Sequence, residues 1–276
     1  MTIPALPADI ASTVRRALSE DIGNGDLTAD LIPAGETAQA RVICREAAVL
    51  CGTAWVDEVF RQLGGAVEVS WLLADGADVQ PGAAVCQLAG NTRTLLTGER
   101  TALNFLQLLS GTATTTRRYV TLLANTGTRI LDTRKTIPGL RTAQKYAVAC
   151  GGGCNHRMGL YDAILIKENH IRAAGGIAKA VHEARRHNRQ IEVEVEDLDQ
   201  LAAAIDAGAD TIMLDNFDTD RMRQAVIIND GRARLEASGN MDMKGIPEVA
   251  ATGVDFISVG ALTKNVQAID FSMRIM

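Results

Sequence analysis

The chain has 276 residues, a net charge of −5, 47% hydrophobic and 22% charged content, which suits one large folded domain or two modest ones. These values exclude a disordered chain, and the acidic balance argues against a nucleic-acid-coating surface. No apolar run reaches the roughly 18 residues of a spanning helix, no secretory pattern opens the sequence, and five cysteines without CxxC spacing fit reduced thiols. A cytoplasmic protein without membrane or nucleic-acid partners is therefore expected.

In chain order, the pattern predicts a helix near Ile10–Glu20, an extended run over Ala38–Val49 and a short helix around Trp55–Leu63. Strands near Val67–Leu73 and Ala84–Leu88 follow, separated by the turn-rich Asp75-Gly-Ala-Asp-Val-Gln-Pro-Gly82. Thr94–Asn125 reads as mostly helical with an interruption at Ser110-Gly111. From there the chain alternates short apolar runs with helical patterns. The runs are Arg129–Thr133, Ala163–Lys167, Ile191–Val195, Thr211–Asp215, Arg234–Ser238 and Asp255–Val259; the helical stretches include Ile177–His187, Leu198–Ala207 and Ile246–Thr252. Ala207-Gly-Ala-Asp210 and Thr252-Gly-Val-Asp255 each read as a helix stop followed by a strand start. Such alternation implies a parallel sheet, and six runs are too few for a complete eightfold barrel. The expectation is α/β: an N-terminal α/β domain over residues 1–110 and an open α/β barrel over 111–265, with 266–276 packing on either.

Charge is unevenly placed. Residues 134–172 carry Arg134, Lys135, Arg141, Lys145, Arg157, Lys167 and Arg172 against Asp162 and Glu168 alone. Ligands of parallel α/β folds sit at the C-terminal strand ends. Here those ends hold Arg134-Lys135, Lys167-Glu168-Asn169-His170, Glu194, Asp215-Asn216, Ser238-Gly239-Asn240 and Gly260-Ala261. Arg134, Arg157 and Lys167 suit carboxylate or phosphate oxygens. Glu194 and Asp215 form a pair suited to Mg²⁺, and the two glycine-containing loops can offer backbone N–H groups to a phosphate. His156, between Gly151-Gly-Gly153 and Arg157, is a candidate site residue. Of Glu192 and Glu196, one is expected to pair with a cation and the other to face water.

Leu131-Asp-Thr-Arg-Lys-Thr-Ile-Pro-Gly-Leu-Arg141, Gly151-Gly-Gly-Cys-Asn-His-Arg157, Leu165-Ile-Lys-Glu-Asn-His170, Glu192-Val-Glu194, Leu214-Asp-Asn216 and Ser258-Val-Gly-Ala-Leu-Thr263 occur in one order. This set is similar to that of the quinolinate phosphoribosyltransferases, from about residue 18 onward. The resemblance implies a type II phosphoribosyltransferase fold, with an N-terminal α/β sandwich beside an open six- or seven-stranded barrel. It implies the Mg²⁺-dependent conversion of quinolinate and 5-phosphoribosyl-1-pyrophosphate to nicotinate mononucleotide, pyrophosphate and CO₂. By position it would give Arg134, His156, Arg157 and Lys167 to the quinolinate carboxylates and Lys135 to the space between substrates. Glu194 and Asp215 would serve metal and ribose, and Ser238, Gly239, Asn240, Gly260 and Ala261 the donor phosphate. It also implies a homodimer or higher oligomer in which Arg100 enters a neighbour's site.

Two other readings compete. Val79-Gln-Pro-Gly82 resembles the turns of lipoyl or biotinyl carriers, but no lysine precedes Lys135. The other is a barrel paralogue of the molybdenum-associated type or a non-catalytic metabolite-binding protein; the complete Arg/Lys/His set with both Glu194 and Asp215 favours the enzyme, since a sensor would not need the acidic pair.

Overall fold

The computed structural model describes residues 4–239 and 241–276. Its elements, among the described residues, run α1 (Ile10–Ile22), β1 (Thr37–Cys44), β2 (Ala48–Val49), α2 (Thr53–Gln62), β3 (Val67–Trp71), β4 (Asp78–Val79), β5 (Ala84–Asn91) and α3 (Thr92–Thr121). They continue as β6 (Arg129–Leu131), α4 (Arg141–Cys150), β7 (Ile164–Ile166), α5 (Glu168–Ala174), α6 (Ile177–Ala184), β8 (Ile191–Val195), α7 (Leu198–Ala207) and β9 (Thr211–Asp215). The remainder is α8 (Thr219–Asn229), β10 (Arg234–Ser238), α9 (Ile246–Ala250), β11 (Phe256–Ser258), α10 (Ala261–Lys264) and β12 (Phe271–Ile275).

The chain divides into two compact units. The first comprises residues 1–117, 136–152 and 261–276, and the second residues 118–135 and 153–260. This differs from a single cut at 110, because α4 and the C-terminal segment join the first unit through contacts remote in sequence. β12 pairs antiparallel with β1, giving a sheet ordered β12-β1-β5-β3. Its core gathers Val14, Trp55, Phe60, Leu88, Leu106 and Leu109, all almost fully buried; each such side chain stabilises the unit by about 2 kcal/mol.

The expected break at Ser110-Gly111 is absent, since α3 runs unbroken for 30 residues. Gly111 serves close packing instead: a Cβ there would lie 2.2 Å from the Gln267 carbonyl oxygen. Ser110 is equally occupied, its Oγ donating to Cys51 O and accepting from Cys51 N. The extended run 38–49 is split into β1 and β2, and β2 turns away to pair with β4.

In the second unit the strands form a parallel sheet ordered β6-β11-β10-β9-β8-β7. Val193, Val195, Ile212, Leu214, Leu235, Ala237 and Ile257 alternate onto one buried face. Helices α6 and α7 pack on β8, and α7 also on β9. Local signals set the joints. Asp197 caps α7 by accepting the Gln200 N–H, and Gly208 closes it at φ 78°. Asp218 caps α8 by accepting the Arg221 N–H. The expected stop at Gly253 has φ 94°.

Candidate active site

The second face of this sheet turns inward. Arg129, Leu131, Glu192, Thr211, Arg234, Glu236 and Phe256 line one cavity of about 240 Å³ near the strand starts. Alternation therefore directs Glu194, Asp215 and Ser238 along the same faces, nearer the C-terminal ends. In register, Glu194 stands opposite Met213, and Asp215 opposite Ser238. The curled sheet thus has a polar floor and, one level higher, a ring of polar strand ends.

Cations approach that ring from two places. Lys167 follows β7, and its Nζ forms an ion pair with Glu194. His170 helps to hold Lys167 by accepting its backbone N–H at Nδ1, at 3.0 Å. Arg134 and Lys135 follow β6 and are exposed. The Lys135 N–H donates to Thr133 Oγ1 at 3.0 Å, and a Cβ on Gly260 would lie 3.1 Å from Lys135 Cδ. Asn216 Nδ2 donates to Asp215 Oδ2 at 2.9 Å. Gly239 sits at φ 110°, where a Cβ would fall 2.4 Å from Asn216 Oδ1. Only glycine allows the loops after β9 and β10 to meet so closely.

The segment after Gly151-Gly-Gly153 runs along the free edge of β6. Cys154 N donates to Ile130 O at 2.8 Å, and Asp132 N donates to Cys154 O at 3.1 Å. His156 follows, its N–H donating to buried Asp132 Oδ1 at 2.9 Å. Its Nε2 lies 2.7 Å from Glu192 Oε2 and 3.7 Å from Glu236 Oε2. Its Nδ1 accepts the Arg157 N–H at 2.7 Å. The Arg157 guanidinium donates from Nη1 to Ala163 O at 3.2 Å. Burial and the nearby Arg134 charge pull Arg157 below the usual guanidinium value, against the opposing pull of Glu192 and Asp162. Burial, then the neighbouring Glu192, push the Glu236 carboxyl well above the usual carboxylate range, against a hydrogen bond from Ser258.

An inward-facing α/β barrel whose strand ends gather two arginines, two lysines and two carboxylates defines an enzyme for small, multiply anionic substrates. Residues 26–110 match the family described as quinolinate phosphoribosyl transferase, N-terminal domain, and residues 112–274 match its C-terminal domain. A probable nicotinate-nucleotide pyrophosphorylase (carboxylating) of Bacillus subtilis is 43% identical over 259 residues, covering 93% of this chain and 90% of its own length. A mitochondrial quinolinate phosphoribosyltransferase (decarboxylating) of Nicotiana tabacum is 37% identical, covering 99% of this chain and 84% of its own. The solved nicotinate-nucleotide pyrophosphorylase from Francisella tularensis superposes with a TM-score of 0.96 at 52% identity, covering 100% of this chain and 99% of that one. The chain belongs to the quinolinate phosphoribosyltransferase family.

Within the second unit the expected Arg134, Lys135, Lys167, Glu194, Asp215, Ser238, Gly239 and Gly260 lie on or just beyond the strands, whereas His156 and Arg157 lie in the connection between α4 and β7 that runs beside β6. Ala261 opens α10, and Arg100 is exposed on α3, both in the first unit. Asn240 lies outside the described residues. Lys145 is fully buried in α4. Glu192 meets the His156 imidazole rather than a cation, while Glu196 is exposed. Sequence reasoning missed Asp132 and Glu236. Strand alternation could have found Glu236, two residues before Ser238 on one face of β10.

Proposed function

We propose that this chain transfers the phosphoribosyl group of 5-phosphoribosyl-1-pyrophosphate to the ring nitrogen of quinolinate. Loss of CO₂ then gives nicotinate mononucleotide, with pyrophosphate released in the transfer, a step of de novo NAD biosynthesis. The observation that carries this reading is the ring of polar strand ends, where Lys167 is ion-paired with Glu194 and Asp215 stands in register with Ser238, with half-buried Arg157 and exposed Arg134 as further cations. Such a set of cations favours a ligand that brings more than one carboxylate.

In this reading Arg134, Arg157 and Lys167 take the two carboxylates, with His156 set against Arg157. The ring nitrogen is thereby oriented toward the anomeric carbon. Glu194 lends negative charge where the ribose develops oxocarbenium character, and its ion pair with Lys167 keeps the carboxylate in place. Lys135 lies between the two substrates. Ser238, Gly239, Asn240, Gly260 and Ala261 serve the 5′-phosphate.

Glu194 and Asp215, oxygen donors on adjacent strands of one face, fit Mg²⁺, which takes one or two protein carboxylates and completes its shell with substrate oxygens. When bound, the ion neutralises charge on the departing pyrophosphate. The five free thiols fit a reducing cytoplasm, and no described helix is long and apolar enough to cross a membrane.

The test is product formation from quinolinate and the pyrophosphate donor, with nicotinate in a parallel reaction. Turnover of nicotinate alone would overturn the substrate assignment. Arg100 is assigned to a neighbouring subunit's site in a homodimer. Mixing Arg100→Ala with Lys167→Ala, each inactive by itself, should then restore roughly a quarter of the activity through hybrid dimers. Absence of restoration would count against a shared site.

A further inference from the structure

The transfer chemistry gives no task to two glutamates on the barrel floor. Glu236 is 1% exposed and Glu192 8%, and Oε1 of each has no hydrogen-bond partner among the described residues. Barrel floors are ordinarily filled by branched apolar residues, and burying carboxyl groups costs free energy that such packing does not. What these carboxylates do hold is one ring. Glu192 Oε2 is 2.7 Å from His156 Nε2, and Glu236 Oε2 stands 3.7 Å behind the same nitrogen. The other ring nitrogen accepts the Arg157 N–H, which assigns the proton to Nε2 and makes Glu192 its acceptor. Asp132 fixes the amide of the same histidine at 2.9 Å.

We propose that Glu192, backed by Glu236, is a positioning residue for quinolinate: through His156 it fixes the backbone at Arg157, and so the guanidinium that meets a substrate carboxylate. The inference rests on the reading of Arg157 as a carboxylate ligand. Bidentate recognition is narrow in angle, and a ring pinned at both nitrogens removes the torsional slack that would blur it. His156 then acts on the substrate through its neighbour.

The test is steady-state kinetics of Glu192→Ala, Glu192→Met, Glu192→Gln and Arg157→Ala, varying quinolinate and the phosphoribosyl donor separately. Imidazole ¹⁵N NMR, simple with four histidines, is recorded on the same proteins. Glu192→Ala and Glu192→Met should raise the KM for quinolinate about tenfold, with kcat and the donor KM within about twofold. Glu192→Gln keeps an acceptor for Nε2–H and should restore most of that loss. The His156 Nε2–H signature should vanish in the first two variants and persist in the third. The Met variant preserves volume and carries the test if the Ala variant does not fold.

An unchanged quinolinate KM in the Ala and Met variants, with a raised one in Arg157→Ala, would overturn the inference and leave the carboxylate reading intact. An unchanged KM in Arg157→Ala would instead overturn that reading. Equal losses toward both substrates with a lowered Tm would reduce Glu192 to a structural role, overturning the proposal. So would a stoichiometric divalent metal in the purified enzyme that the Ala variant lacks.

Discussion

Each unit buries acids, and treats them differently. In the first, Asp75 is 6% exposed and has both oxygens occupied: Oδ1 accepts Gly52 N–H at 3.0 Å and Thr53 N–H at 3.1 Å, and Oδ2 accepts Tyr146 O–H at 2.8 Å. Burial still pushes its pKa up, against those donors. In the second unit Glu192 and Glu236 each leave one oxygen unsatisfied among the described residues. The difference separates an acid that builds the fold from acids retained for a site. The first closes its hydrogen-bond account locally; the others gather round a single imidazole.

The largest effect that would sharpen this contrast comes from Asp75→Ala, which strands three donors inside the first unit. It should lower unfolding free energy by roughly 4 kcal/mol, leaving the quinolinate KM of the folded fraction unchanged, as denaturant melts and kinetics would show. Arg157→Ala should do the reverse. Loss of a charge-assisted carboxylate contact predicts a fall in kcat/KM for quinolinate on the order of 100-fold, with Tm within a few degrees. Near-normal turnover would break the comparison on its functional side.

The smallest effect concerns Glu236. A carboxyl whose folded pKa is raised keeps its proton in the native state to a higher pH than its unfolded counterpart, which ionises above about 4.5. Unfolding then releases a proton, so stability is lost as pH rises above that value toward the folded pKa, by at most about 1.4 kcal/mol per pH unit. Glu236→Gln, whose amide can donate to Glu192, should flatten that slope. Denaturant titrations at pH 5 and pH 8 that kept the wild-type slope would refute the protonated assignment.

The barrel strands were legible because their cue is local: Ile191–Val195, Thr211–Asp215 and Arg234–Ser238 have the same bounds in pattern and structure. The rule that ligands sit at the C-terminal ends of parallel strands singled out Arg134, Lys167, Glu194 and Asp215, and in the structure Lys167 and Glu194 form an ion pair; Arg157 lies in the connection between α4 and β7, and that rule did not reach it. The assignment of α4 to the first unit was not legible, since it rests on contacts such as Thr142 Oγ1 donating to Asp9 at 2.7 Å across 133 positions. Gly111 misled for the same reason. A glycine in a helical pattern reads as a break, and the Gln267 carbonyl that requires it lies far along the chain. Alternation places Glu236 on the inward face of β10, but neither its burial nor that of Asp132 is legible locally, because burial of a charge depends on what faces it.

The pairing of β12 with β1 sets an order for biogenesis. One edge of β1 pairs with β5, but the other, at residues 40–44, pairs with residues 271–275, so during translation the first unit waits while every strand of the barrel leaves the ribosome. Contacts this distant in sequence form slowly. All strands of the second unit precede β12 in the chain, so that unit can fold before the first is complete. The portion synthesised first would then be the portion finished last, and the nascent chain would display the unpaired edge of β1 throughout that interval.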